Sequence, residues 1–354
     1  ACALELAYRY ETGRFQGFVW RKAPDEGSDI EGALLNLALD MEKQLPGFTM
    51  THMVDRADEF VDWLPRLTEL LEKQNILIVL DNLESLLTLD GRWRDERWGY
   101  LVTALLAHGG LSRTVLTSRR RPTDLGDESW VLVEPIHALS LSEAALLARE
   151  LPNLGRLLRG ESEVGLTEGR KLVARTLAVV QGHPKLIEFA EGQADDPEAL
   201  VGHLERAAAA WAGGEGRLRA FFSEGESPFG AEEFLTALAN WTQGVSAALP
   251  PTSRTLFYFL CCLEEGDRQG WIVETAWPNL WQRLERPGEA PDLAAILEPL
   301  TAAGLVKARP LEPEEETGLL YNLHPGVAET GRKEAGNDFQ ATVDAELAAF
   351  WWAI

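Results

Sequence analysis

Five apolar residues in a row, Ile76-Leu77-Ile78-Val79-Leu80, end on the acid Asp81. An unbroken run of that kind predicts a strand buried on both faces, as in a parallel sheet covered by helices. A second short run, Val115-Leu116, passes into Thr117, Ser118 and Arg119. Phe18-Val19-Trp20 and the stretch from Trp130 to Val133 add two further β-prone segments. Between them the period changes. Ile30, Leu34, Leu37, Met41 and Leu45 recur at helical spacing, with Ser28-Asp29 as a cap and Pro46-Gly47 as a stop. Helices are also predicted at 1–11, closed by Gly13, at 55–73 with Pro65 as a kink point, and at 97–107. Four strands separated by helices predict a parallel α/β sheet.

After Pro135 the pattern is helical. A helix begins near Ala144, capped by Ser140 or Ser142, and others follow at 168–181, 184–192 and 197–210. Residues 212–230 are rich in Gly, Ser and Glu and are expected to be a linker. Helices at 231–243, 253–262 and 292–302 come next. Two short strands, 305–308 and 319–323, then flank an acidic turn at 312–317. Three helices followed by a hairpin outline a winged helix.

Composition narrows the partners. The 354 residues carry 56 acids against 33 bases, a net charge of −23. Nucleic-acid binders need a basic face, and the longest basic run here is Arg119-Arg120-Arg121, so nucleic acid is disfavoured. No apolar run approaches the roughly 20 residues of a membrane span, and no signal peptide opens the sequence. The sequence starts on Ala1 inside a helical pattern and ends on Trp351-Trp352-Ala353-Ile354. It is read as an internal piece of a longer polypeptide. The three cysteines, Cys2, Cys261 and Cys262, are poorly spaced for disulfides, which fits a reduced, cytoplasmic setting. Cys261 and Cys262 continue the apolar run 256–260 and read as helix core rather than as nucleophiles. No histidine pair at i, i+4 and no C-x-x-C argues for zinc, and no G-x-S-x-G argues for a hydrolase.

In parallel sheets ligands bind at the carboxyl ends of the strands, where Asp81 and Arg119 would both stand. Asp81 is a candidate Mg²⁺ ligand; its local alternative is to cap the next helix together with Asn82. Glu84 is a candidate for positioning or deprotonating an attacking water. Arg119 is a candidate phosphate sensor with Thr117 and Ser118 beside it; its alternative is a solvated basic loop. Gly182-His183-Pro184 reads locally as a helix stop followed by proline at the next first turn. Its functional alternative is a rigid turn pressing Pro184 against a flat ligand such as adenine. His324-Pro325 reads either as a strand-to-helix turn or as a histidine reaching a diphosphate. No G-x-x-x-x-G-K-[ST] occurs in the sequence.

In this order the segments resemble the STAND class of signal-transducing NTPases, in its bacterial NB-ARC-like branch. Segment 77–84 resembles the Walker B strand, 115–119 sensor 1, and Gly182-His183-Pro184 the GxP turn. Tyr321-Asn322-Leu323-His324-Pro325 is similar to the histidine motif of the winged helix. Residues 15–20 resemble the strand after the P-loop helix, so the likeness covers nearly the whole sequence. It implies a truncated parallel-sheet nucleotide-binding domain at 1–135, whose P-loop would lie before Ala1. A helical lid and linker would follow at 136–230, a winged helix at 231–336 and the start of a further helical segment at 337–354. It further implies an ATP/ADP switch with Mg²⁺ on Asp81. Asp81, Glu84 and Arg119 would serve catalysis, while Thr117, Ser118, Gly182, Pro184 and His324 would hold nucleotide. ADP would keep the parts closed, and exchange for ATP would permit self-association. By the same resemblance the parent carries an N-terminal effector and a C-terminal repeat sensor, with ATPase activity in the parent and none in this stretch alone. Two departures stand out. Asn82 occupies the second Walker B position, which leaves hydrolysis slow or dependent on Glu84. Leu323-His324-Pro325 lacks the acidic third residue of the plant form. Two other classes remain, a DNA-binding winged-helix regulator, which the acidic turn opposes, and a nucleotide-free scaffold with a decayed site.

Overall fold

The computed structural model describes residues 2–10, 14–24, 30–45, 47–54, 56–125, 128–211, 220–310 and 318–353. The chain is mixed α/β and divides into two compact units, Ala1–Pro135 and Ile136–Ile354.

The first unit is built on a parallel sheet of β1 (Gly17–Lys22), β2 (Ile76–Asp81) and β3 (Arg113–Leu116), in the order β1-β2-β3. Its central strand is buried on both faces, as the apolar run predicts. Alternation sorts the side chains. Val19, Ile76, Ile78 and Leu80 face one core with Leu34, Leu37, Met41, Phe60, Leu67, Trp98 and Leu101. Those partners come from helices Ile30–Gln44, Ala57–Lys73 and Glu96–Leu106. Leu77 and Val79 face the other way, against Ala3 and Ala7 of helix Cys2–Tyr10. Each fully buried Leu or Ile contributes about 1.5–3 kcal/mol, so this two-sided burial anchors the strand whose end carries Asp81. Pro65 lies inside helix Ala57–Lys73 without ending it.

One expected strand is not formed. Residues 128–130 make a short 3₁₀ turn, and 131–133 have no ladder. Trp130, Leu132 and Val133 are exposed. β-propensity reports fit to a neighbouring strand, and this segment has no such neighbour among the described residues. The expected caps and stops at Gly13, Ser28-Asp29 and Pro46 lie outside the described residues, as do Ala1, Glu11 and Asp55.

The second unit opens with five helices, Leu141–Glu150, Pro152–Arg159, Gly165–Val180, Pro184–Gln193 and Pro197–Ala210. A capping box between Ser140 and Glu143 starts the first. Helices Ala231–Ala248, Pro251–Cys262, Gly270–Arg283 and Leu293–Ala302 follow, then the antiparallel pair β4 (Lys307–Pro310) and β5 (Leu319–Asn322). Helices Pro325–Ala335 and Asn337–Ala353 close the unit. One hydrophobic core runs through it, from Ala144 through Phe189, Trp241, Phe257 and Leu300 to Val343.

Three expectations change here. The pattern predicts no helix at 270–283 or 152–159, yet both exist. The first of β4 and β5 begins at Lys307, because Leu305 and Val306 turn into the core instead. The expected linker is not one over its described part: Phe221 and Phe229 are buried, and the Phe229 ring stacks on Trp211 at 4.3 Å. Residues 212–219 and the acidic turn 312–317 lie outside the described residues. Cys261 is buried in helix Pro251–Cys262, and burial pushes the Cys262 thiol up to about 12, so neither is poised as a nucleophile.

Candidate functional site

β2 ends on Asp81, and the next residue turns sharply. Asn82 sits at φ 67°, ψ 42°, a left-handed conformation that Asn tolerates better than most residues. A 3₁₀ turn, Leu83–Leu86, follows. Thr117, just past β3, stitches this corner together. Its hydroxyl donates to the Asp81 carboxylate and accepts the Asn82 N–H at 3.1 Å. Its carbonyl accepts the Leu83 N–H at 3.0 Å, and its own N–H donates to the Leu80 carbonyl at 3.0 Å. Neither Asp81 nor Asn82 acts as a side-chain helix cap here. Asn82 makes no cap bond, and the Asp81 carboxylate takes the Thr117 hydroxyl.

Glu84, on the 3₁₀ turn, is buried at 4% exposure. Its Oε1 accepts the Arg119 Nε–H at 2.5 Å, and its Oε2 accepts the Arg119 backbone N–H at 3.3 Å. Arg119 thus lies exposed in the loop past β3, yet its side chain is held by Glu84. Ser118 is exposed, and its hydroxyl accepts the Arg120 N–H at 3.1 Å, a local turn. Asp81, Glu84, Thr117 and Arg119 therefore meet at the carboxyl ends of adjacent strands. Formally the corner holds two acids and one base. A free polyanion is repelled by that balance unless a cation accompanies it.

The donor set fits a hard cation in part. Asp81 keeps carboxylate lone pairs beyond those used by Thr117, and Thr117 adds a hydroxyl oxygen. Among the described residues no group of three His, Cys, Asp or Glu is placed to hold a metal. A cation at Asp81 would have to complete its shell with water and ligand oxygens, which is how Mg²⁺ is commonly bound.

The remaining predicted residues gather in the second unit. Gly182 has φ 72°, and a Cβ there would lie 2.0 Å from the Leu139 carbonyl oxygen. The Leu139 N–H donates to the Gly182 carbonyl at 2.9 Å. Glycine is therefore demanded by backbone approach as well as by φ. Pro184 is exposed at the first turn of helix Pro184–Gln193. His183 caps that helix, its Nδ1 accepting the Leu186 N–H at 3.4 Å. Burial pushes the His183 pKa down to about 4. His324 caps helix Pro325–Ala335 in the same way, its Nδ1 accepting the Gly326 N–H at 3.2 Å. The two imidazoles meet edge to face with centroids 6.5 Å apart, and the Phe234 ring lies 5.0 Å from that of His183. An acceptor role at Nδ1 fixes the neutral tautomer with its hydrogen on Nε2. Two helix N-termini, each with a partial positive charge, thus begin at neighbouring histidines.

Sequence reasoning treated His183 as part of a turn and missed its partnership with His324. The available signal was the repeated His-Pro pair, 183-184 and 324-325. It also missed Lys185. That side chain is buried and donates to the Gly304 carbonyl at 2.9 Å and to Glu188 at 3.1 Å, while Lys307 reaches Glu188 at 2.9 Å. Lys185 therefore ties the Pro184 helix to the turn before β4. Burial lowers its pKa from the usual lysine value.

Among models of known protein families none matches the chain, and no curated protein matches it. No helix of the described residues is long and apolar enough to cross a membrane.

Proposed function

We infer that the chain is the core of a nucleotide-dependent switch of the STAND, NB-ARC-like kind, responding to ADP and ATP with Mg²⁺. The observation that carries this reading is the strand-end corner. Asp81 bonded to Thr117, with Glu84 paired to Arg119, supplies a metal-competent carboxylate beside a cation that can meet phosphate. Support comes also from the second unit, where the exposed Pro184 and the imidazole of His324 flank His183. A neutral His183 imidazole beside two helix N-termini suits an anionic group.

The finer architecture belongs to the same proposal. The sheet unit is read as a nucleotide-binding domain, and the helices of 141–210 as a lid. Helices Pro251–Cys262, Gly270–Arg283 and Leu293–Ala302 with the β4–β5 pair are read as a winged helix. A single bridge between Gln269 and Leu320 adds a third short edge to that hairpin, which favours the reading. The loop that grips β- and γ-phosphates is absent from this sequence, so these residues alone hold nucleotide weakly and do not turn over ATP. In the parent, self-association on ATP exchange and flanking effector and sensor segments complete the proposal.

Titration calorimetry of residues 1–354 with ADP and ATP tests it. Weak, Mg²⁺-dependent binding that Asp81→Ala removes is the expected result. Tight binding would overturn the idea that the gripping loop is missing. Binding that is absent, or indifferent to Asp81→Ala, would favour a scaffold without nucleotide.

A further inference from the structure

We propose that Glu84 is the positioning residue of Arg119, a role that rests on the nucleotide reading above and replaces the water-activating role expected for Glu84. The two residues stand 35 positions apart and meet because β2 and β3 are neighbours. The carboxylate divides its oxygens. One takes the Arg119 side chain through Nε, the other takes the Arg119 backbone N–H. A single buried group therefore fixes both the main chain and the side chain of Arg119.

Both bonds use the inner part of arginine. The terminal amino groups take no part in the pair, and the side chain keeps 33% of its surface exposed against 5% for Glu84. An arginine held by Nε still offers its outer N–H groups, and those can meet a phosphate in a two-pronged way. Without Glu84 the guanidinium samples many rotamers and must be ordered when the anion arrives. A carboxylate with both oxygens engaged, and almost no solvent contact, is badly placed to take a proton from water. It would first have to abandon Arg119. The pair thus sets the direction of the cation and does not supply a base.

The test is a mutant cycle on the full 354-residue chain, with tripolyphosphate and Mg²⁺ as the probe. Glu84→Gln, Glu84→Asp, Arg119→Lys and the double variant Glu84→Gln/Arg119→Lys are compared by calorimetry and thermal melting. Arg119→Lys keeps a charge but has no Nε for Glu84 to hold. Glu84→Gln should weaken the probe about tenfold, the lower end of what loss of an orienting partner costs. Glu84→Asp should retain most of the affinity. In the Arg119→Lys background Glu84→Gln should cost clearly less than in the parent, because the side-chain bond has gone and only the bond to the backbone N–H of residue 119 remains. An equal loss in both backgrounds would overturn the proposal. So would an unchanged affinity with a lowered melting temperature, which marks a structural pair. Tighter binding in Glu84→Gln would mean the carboxylate opposes the anion, and would also overturn it. If no protein binds the probe, the parent included, the nucleotide reading itself falls and this role falls with it. Glu84→Asp, with its melting temperature, keeps the question answerable should Glu84→Gln misfold.

Discussion

Thr117→Val is the sharpest probe of the strand-end corner, since it keeps the shape of the side chain and deletes only the hydroxyl. That hydroxyl serves two partners, donating to Asp81 and accepting the Asn82 N–H at 3.1 Å. A hydrogen bond to a charged group is worth about 1.5–3 kcal/mol, and a stranded buried donor costs about 1–3 kcal/mol. Asp81, Asn82 and Thr117 are only part-buried, so water can repair some of each loss. A net cost of about 2 kcal/mol is the reasonable sum, or roughly thirty-fold in an opening equilibrium. The chain has two units, so a single global melt would mix their responses. Hydrogen exchange read by mass spectrometry avoids this by following peptides that cover β2 and the 3₁₀ turn. Their exchange should speed up by roughly thirty-fold in Thr117→Val, recover in Thr117→Ser, and leave peptides of helix Pro251–Cys262 unchanged. Protection of the corner within a factor of two of the parent would refute the idea that Thr117 holds it. Mg²⁺-dependent nucleotide binding should fall along with protection, because the Asp81 carboxylate loses its anchor.

Three further outcomes are expected. Gly182→Ala should destabilise the second unit by about 2–4 kcal/mol, from a left-handed φ and a Cβ 2.0 Å from the Leu139 carbonyl; urea titration of the isolated 136–354 signal would show it as a lower midpoint, and an unchanged midpoint counts against the close approach. His324→Asn should restore most of the roughly 1 kcal/mol that His324→Ala loses as a helix cap, yet neither variant should retain ADP as long as the parent, measured as an off-rate; full retention in the Asn variant would leave His324 as a cap alone. The second unit should lose stability as pH falls from 6.5 towards 4. His183 has a folded pKa of about 4 against an ordinary 6.5, so the unfolded chain binds the extra proton in that window. Its neutral form contributes up to about 3 kcal/mol above pH 6.5, lost on acidification. His183→Asn should flatten that slope, and a parent whose midpoint is level between pH 6.5 and 4.5 would contradict it.

The legible parts of the fold were those that a single segment specifies by itself. β2 could be read because both faces bury apolar residues, so all five apolar positions carry the signal. Helices opened by Ser140 or by proline at 184 and 197 could be read because the cap chemistry is local. Segment 130–133 has the same local grammar as a strand, but pairing is decided by a neighbour, and the described residues offer none. Helix Gly270–Arg283 was hidden for the opposite reason. It carries Pro278 and starts on glycine, yet Ile272, Val273, Trp277, Leu280 and Trp281 are buried, and that packing outweighs poor propensity.

The candidate site divides along the same line. Asp81, Arg119, Pro184 and His324 could be singled out as candidates because strand ends and His-Pro turns are local signals. What each side chain touches was not legible, since the partners lie 35 residues apart across the sheet or more than a hundred apart through the second core. That difference changes the chemistry assigned. Glu84 considered alone is an acid near a strand end and a candidate base. Glu84 with both oxygens on Arg119 is an acid already committed, and a proton-accepting role would first require breaking a part-buried ion pair. His183 considered alone is a turn residue. Placed against His324, with its own pKa driven down by burial, it stays neutral at neutral pH. It then keeps its Nε2–H as a donor without adding a second charge, so any anion at these two helix starts meets hydrogen-bond donors and helix dipoles rather than an imidazolium pair.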